Sequence, residues 1–376
     1  MGSAKLNDFD TSSDEEIFDE DPEDELLPPL TRYRVSSFGA DFDVEGLMNR
    51  LDRGDIFVPD FQRAYVWSPK QASQFIESIL LGLPVPGIML AIDDDDSEDG
   101  KARRYVVDGL QRLTSLQSFI TGMFPNEKVF RLESVQTEFN GKTFQQLSAG
   151  DQRIIRDYVI HATIIKQEEP DQDKSGIYSV FRRLNTNGTP LTPQEIRAAI
   201  YYGSFSKLLG ELAELEVWKS IFPANRRLSI RKEDEELILR FLALFQEYTR
   251  YQKPLELFLN KFMSVHQNAS SKFLDEQRRV FVDTITLIHD AIGVQAFKVM
   301  VSVRRQFNRA AYDSIMIGIA TRLKKGAIHD YNSLKAAYDR LIGNEDFLKL
   351  VSGSTSDERN MHERITAAIG AFDNVD

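Results

Sequence analysis

The sequence predicts an α+β protein. A mixed α/β domain spans residues 35–170, a mostly helical extension spans 171–376, and an acidic, disordered tail precedes them at 1–34. Three observations carry this reading. Short apolar runs at 87–92 and 105–107, bounded by glycine or charged residues, have the length and content of buried strands. The second run stops at Asp108-Gly109 and passes at once into a helical period. From residue 175 onward, apolar residues recur mostly at helical spacing.

The elements follow in order. Residues 44–53 keep their apolar side chains on one helical face, and Gly54 ends that helix. Residues 56–66 mix polar and apolar types around Pro59 and predict a loop leading to a turn. Ser68 as N-cap and Pro69 at the first helical position open a helix whose Phe75, Ile76, Ile79 and Leu80 share a face. Gly82 and Pro84 close it. The acidic knot Asp93 to Asp96, Glu98 and Asp99 reads as an exposed connection. Leu113, Leu116, Phe119 and Ile120 mark the core face of the helix after Gly109, and Gly122 terminates it. Strands are expected at 128–132, 134–139 and 159–166, and a helix at 150–158. Helices are expected at 177–184, 193–201, 233–251, 272–292, 310–324 and 331–342. No internal repeat is present.

Composition narrows the function classes. The chain has 376 residues, 42% of them hydrophobic, enough for two or three domains. No apolar run reaches membrane-spanning length, and the acidic N-terminus is neither a secretory signal nor a transit peptide. The absence of cysteine excludes disulfides, thiolate zinc sites and cysteine nucleophiles, and fits a cytoplasmic location. The five histidines are scattered, with no pair at metal-ligand spacing. Residues 1–30 carry eleven Asp or Glu and one Lys, which leaves a net charge of only −2 on the rest of a −12 chain. Within that rest stand basic clusters, among them Arg226–Arg227 with Arg231–Lys232, and Arg304–Arg305 with Arg309. Such patches either bind a phosphate backbone, making DNA a partner, or are solvated helix faces.

Three segments carry candidate chemistry. In 105–119 a strand runs through a turn into a helix, placing Asp108, Gly109, Gln111 and Arg112 around the helix N-terminus. Free amides and the positive dipole end there attract phosphate. Arg112 can grip phosphate oxygens and Gln111 adds a neutral hydrogen bond, while Asp108 can hold magnesium or orient a water. In the alternative reading Asp108 caps the helix and Arg112 makes a surface pair. No Walker lysine is present, so this is not a P-loop. In 58–67, Gln62 and Arg63 lie between Phe61, Tyr65 and Trp67, an arrangement suited to a flat base unless the aromatics simply anchor the loop. In 181–195, Asn185 to Gly188 has turn chemistry, and Thr192 to Glu195 opens a helix with a capping box.

Together and in this order, these segments resemble the DUF262 family, the N-terminal-domain family of GmrSD restriction endonucleases. Its FQR-x-Y-x-W, DGQQR-L-T-x-L and F-x-R-L-N-x-x-G-T-x-L signatures stand here as Phe61-Gln62-Arg63-Ala64-Tyr65-Val66-Trp67, Asp108-Gly109-Leu110-Gln111-Arg112-Leu113-Thr114, and Phe181-Arg182-Arg183-Leu184-Asn185 through Thr189-Pro190-Leu191. The resemblance covers at least 42–200. It implies a ParB/sulfiredoxin-like domain with a helical extension, a nucleoside triphosphate bound with Mg2+ and hydrolysed or not, and a role in restricting foreign DNA. Carried onto this chain, Asp108 and Arg112 are the catalytic residues, with Asp108 the metal ligand. Gly109, Gln111, Arg112, Thr114, Arg63 and Asn185 bind nucleotide. Phe61, Gln62, Arg63, Tyr65 and Trp67 sense DNA or a modified base.

Two departures bear on function. Leu110 replaces the first glutamine of the motif and cannot donate its hydrogen bond. The last stretch holds only His329 and His362, without the histidine pattern of the HNH-type nuclease domain, DUF1524, that many relatives carry. The expectation is an NTP-binding, DNA-sensing component of a prokaryotic modification-dependent restriction system, with hydrolysis open and any nuclease on a separate chain. A nucleotide-gated DNA clamp and a structural partner without ligand are the rival readings. A homo-oligomer is compatible with either.

Overall fold

The structure, a computed structural model, describes residues 17–18, 34–57, 65–93, 103–169, 174–184, 191–222, 232–301 and 304–376. The chain divides into two compact units, one of residues 29–206 with 263–268, the other of 1–28 with 207–262 and 269–376.

The first unit is built on a mixed five-stranded sheet. With β1 reserved for Ile17–Phe18 in the second unit, its strands are β2 (Arg34–Asp43), β3 (Ile56–Phe57), β4 (Ile88–Asp93), β5 (Arg103–Asp108) and β6 (Val159–Glu169), in the spatial order β2-β6-β4-β5-β3. The β2–β6 and β4–β5 pairs are antiparallel; β4–β6 and β3–β5 are parallel. Helices α1 (Val44–Asp52), α2 (Pro69–Leu80), α3 (Leu110–Thr121) and α4 (Ala149–Asp157) contribute to its core, where Leu47, Ile76, Leu116 and Ile155 meet Leu90 and Val106 of the sheet. The start of α2 follows the sequence: Ser68 accepts from the Gln71 amide, and the Gln71 side chain accepts from the Ser68 amide. Helix α5 (Ser175–Leu184) lies against β6 and β2. Helix α6 (Pro193–Ile200) begins with the expected Thr192–Glu195 capping box.

Three expectations for this unit need correction. The segments at 128–132 and 134–139 are not strands. Phe130, Leu132 and Phe139 are buried from irregular backbone, where Phe139 N–H to Gln136 O closes a turn and Leu132 N–H to Lys142 O with Gly141 N–H to Leu132 O closes the loop around it. Only one isolated bridge, Met123 to Val129, pairs there. Residues 56–57, expected in a loop, form β3. The ten-residue β2 was not expected at all.

In the second unit α12 (Arg309–Leu323) is central. Residues 310–320 are all buried, and α9 (Glu233–Glu247), α11 (Ser271–Ala291) and α15 (Glu358–Phe372) pack against it. The unit also holds α8 (Glu216–Ile221), α13 (Tyr331–Ile342) and α14 (Glu345–Leu350), while α7 (Ser204–Ala213) and α10 (Leu255–His266) lie mostly within it. A hairpin of β7 (Lys298–Val301) and β8 (Arg304–Asn308) interrupts the helices, and β1 pairs parallel to β8. Thus Ile17–Phe18, inside the acidic segment, are strand-paired; the other residues of 1–33 lie outside the described set. Deep in the unit the Asp313 carboxylate receives two guanidiniums: Arg240 Nη2 at 2.6 Å and Arg364 Nη2 at 3.4 Å. All three side chains are at most 1% exposed. The protein is α+β, with a mixed N-terminal region and helices dominating the C-terminal part. No described helix is long and apolar enough to cross a membrane.

Candidate functional site

The Asp108-Gly109 turn forms where the sequence places it. Met89 pairs with Asp108 but Leu90 pairs with Val106, so Val107 is an extra residue, a β-bulge just before the turn. Gly109 follows with φ +99, and any Cβ there would lie 2.5 Å from Ile88 Cγ2. Only glycine meets both conditions. Gly109 is the N-cap of α3 and supplies no side-chain cap, so the first-turn amides of α3 receive no capping side chain.

Asp108 and Arg112 pair with each other, which the sequence reading did not anticipate. Arg112 Nη2 donates to Asp108 Oδ2 at 2.7 Å, with the Arg112 side chain 14% exposed and that of Asp108 69% exposed. Asp108 therefore holds the arginine rather than capping the helix. Arg112 Nε is buried without a hydrogen-bond partner among the described residues. The result is a half-buried guanidinium with donors to spare beside uncapped amides.

Gln111 does something the sequence did not suggest. Its Oε1 accepts from the backbone amides of Val66, at 2.9 Å, and Trp67, at 3.2 Å. That double acceptance fixes the orientation of the carboxamide, and only its nitrogen remains to donate. The Tyr65 hydroxyl meets Ser115 Oγ at 2.8 Å, and Ser115 Oγ donates to Gln111 O at 2.7 Å. Burial pushes the Tyr65 hydroxyl pKa up, partly offset by the Ser115 hydrogen bond, so it remains a neutral donor. The Tyr65 ring lies 5.9 Å from Phe124, and Trp67 packs edge-on to Phe75 at 5.6 Å. The end of the aromatic segment is thus fastened to the first two turns of α3. Ser115 was missed; its one signal is a small polar residue four positions after Gln111 on an otherwise apolar face.

Thr114 is half-buried in the second turn of α3. Leu110 is half-buried and packed against the core of the first unit. Phe61, Gln62, Arg63 and Asn185 lie outside the described residues. So do Arg226, Arg227 and Arg231. Lys232, grouped with them as a DNA contact, is instead paired with Glu235 at a site where both side chains are nearly buried. Other cations of the second unit are also engaged: Arg309 with Glu233 at 3.0 Å, Arg322 with backbone carbonyls, and Lys324 over the Phe245 ring at 4.0 Å.

A nucleoside triphosphate fits these residues in kind, since free amides and an under-used guanidinium are what phosphate oxygens need. Among the described residues no cluster of three acidic or histidine side chains could hold a metal ion. A magnesium ion here would take Asp108 and otherwise bind phosphate and water, as that small cation commonly does. Residues 44–202 match the family model described as GmrSD restriction endonuclease, N-terminal domain. No curated protein matches the chain.

Proposed function

From the premise that residues 44–202 form a GmrSD-type N-terminal domain, we propose that this protein is an NTP-binding, DNA-sensing component of a restriction system. The observation that carries the nucleotide reading is the uncapped N-terminus of α3 with the half-buried Arg112 beside it. The triphosphate sits on the amides after Gly109, and Arg112 turns part of its guanidinium from Asp108 to a phosphate. Asp108, released from that ion pair, binds the Mg2+ that accompanies the substrate. Gln111 ties the nucleotide turn to the aromatic segment that meets DNA, so occupancy of one is felt by the other. The cut itself is made by a separate nuclease chain.

The test is a binding and phosphate-release panel of the four NTPs with magnesium, with and without DNA. Arg112→Ala weakens NTP binding by about tenfold to a hundredfold, since a hydrogen bond to a charged group contributes about 1.5–3 kcal/mol. Asp108→Asn keeps most of the affinity and suppresses phosphate release. Equal affinity of Arg112→Ala and wild type for every NTP would remove the nucleotide site from this turn.

Half-buried Leu110 favours one modification of this reading, a nucleotide-gated DNA clamp that binds without turnover. The panel separates the two, because a clamp binds NTP and releases no phosphate.

DNA contact is electrostatic in either case. Deleting residues 1–30 removes ten net negative charges. Affinity for DNA rises in low salt, and the gain shrinks as salt increases. A gain that persists undiminished in high salt would show that the segment acts sterically instead.

A further inference from the structure

One end of the sheet in the first unit gathers more than the Asp108 turn. Register places Gly39, Thr163, Met89 and Asp108 in one row across β2, β6, β4 and β5. Asp41 and His161 face each other in the row two residues nearer that end, on the same face as Gly39 and Thr163. Their side chains join, His161 Nδ1 to Asp41 Oδ1 at 2.8 Å, and both are open to solvent, at 61% and 68% exposed. A carboxylate only accepts, so Nδ1 carries a proton toward Asp41, and in the neutral ring it is Nε2 that presents a lone pair. The imidazole lies over Gly39, where a Cβ would come within 2.7 Å of Cε1. At ordinary strand spacing, the Cα atoms of His161 and Asp108 are about 12 Å apart, two strands over and two residues along. The ring leans over Gly39 on β2, into the row that ends in Asp108, while the Asp108 carboxylate turns to Arg112.

We propose that His161, positioned by Asp41, is the general base for NTP hydrolysis at this end of the sheet; the proposal rests on the nucleotide reading above. With the phosphates anchored at α3, the terminal one extends along the open face toward β6. His161 Nε2 takes a proton from a water as the water oxygen attacks the terminal phosphorus. The bond from that phosphorus to the bridging oxygen breaks, and the nucleoside diphosphate leaves with the electron pair. Inorganic phosphate is the other product, and the imidazolium returns its proton to solvent. Asp41 keeps the ring in the productive tautomer and orientation throughout. A cross-strand surface pair without this role would add slightly to the stability of the sheet and nothing to chemistry.

Four variants of the full chain test it: His161→Gln, His161→Ala, Asp41→Asn and Gly39→Ala. Affinity is read with a β,γ-imido triphosphate analogue, turnover by single-turnover phosphate release, and ring contact by NMR of the imidazole signal that disappears in His161→Gln. The expected result has three parts. Adding the analogue to wild type shifts the His161 ring signal. Both His161 variants bind the analogue as wild type does but release phosphate about a hundredfold to ten-thousandfold more slowly, and free imidazole partly restores His161→Ala. Asp41→Asn and Gly39→Ala, which act through the ring, slow release with affinity unchanged. Wild-type release rates in the His161 variants, or no ring shift on binding, overturn the proposal and leave the nucleotide site standing. A wild type that binds without turnover also overturns it and selects the clamp. A wild type that binds no nucleotide overturns both readings.

Discussion

Asp313→Ala lowers the stability of the second unit by about 3–5 kcal/mol, the usual cost of leaving buried charge without its partner. The physical reason is the count of charges. Asp313 is the carboxylate that faces both Arg240 and Arg364, and none of the three side chains is more than 1% exposed. Arg364 is also committed to the Thr355 carbonyl, so it cannot swing out to water without breaking the loop before α15. Removing the carboxylate leaves two guanidiniums facing each other in the interior. The chain provides its own reporter. It has two tryptophans: Trp218 is fully buried in the second unit, and Trp67 belongs to the first. In a Trp67→Phe background, denaturant unfolding followed by Trp218 fluorescence isolates the effect. The triple replacement Arg240→Met, Asp313→Leu, Arg364→Met recovers much of the loss, because it removes the charges rather than stranding them. A loss under about 1 kcal/mol in Asp313→Ala would mean that water reaches the triad.

Gly109→Ala costs the first unit about 2–5 kcal/mol. Forcing a side chain into the left-handed region contributes roughly 1–2 of this and overpacking against Ile88 about 1–3. The damage is local as well as global. Either the turn opens, shifting the start of α3 and scattering its free amides, or β4 moves away at Ile88. Hydrogen exchange therefore accelerates at the amides of residues 110–116, and NTP affinity falls with it. A double-mutant cycle with Ile88→Ala separates the two causes. The steric part appears as favourable coupling, since Cγ2 is gone, while the backbone part persists. Unchanged exchange and affinity in Gly109→Ala would show that the turn tolerates both, and that the position is not what fixes the phosphate-facing amides.

What the sequence disclosed, and what it hid, follows from where the information lies. The strand, turn and helix around Asp108 were legible because each is set by neighbours: an apolar run, a glycine, a helical period. Helix α2 was legible from its cap for the same reason. Strand β2 was not, since it lies at the sheet edge with Phe38 and Asp41 both largely exposed, and its sequence lacks a clear alternation. Residues 128–139 misled in the opposite direction. Phenylalanines buried from turns carry the same composition as strand residues, and composition alone cannot tell the two apart. Gln111 was read as a ligand donor because its partners, the Val66 and Trp67 amides, stand about forty-five residues away. His161 and Asp41 are 120 residues apart and meet only through strand pairing. Long-range register is the part of the site that no local pattern encodes.

The bulge at Val107 shows how much can hang on one residue of register. A strand counts in twos, so every position is either odd or even with respect to the core. Without the extra residue, the pairing of Leu90 with Val106 would continue as Met89 with Val107 and Ile88 with Asp108. Ile88 is 3% exposed and faces the interior, so Asp108 would inherit that parity and drive a carboxylate into oil. Val107 is thus a phase shifter: it contributes no chemical group, yet it decides that the acid at the end of β5 is presented to solvent instead of to the core. The spelling of the motif after Asp108 matters only once that frame has been set.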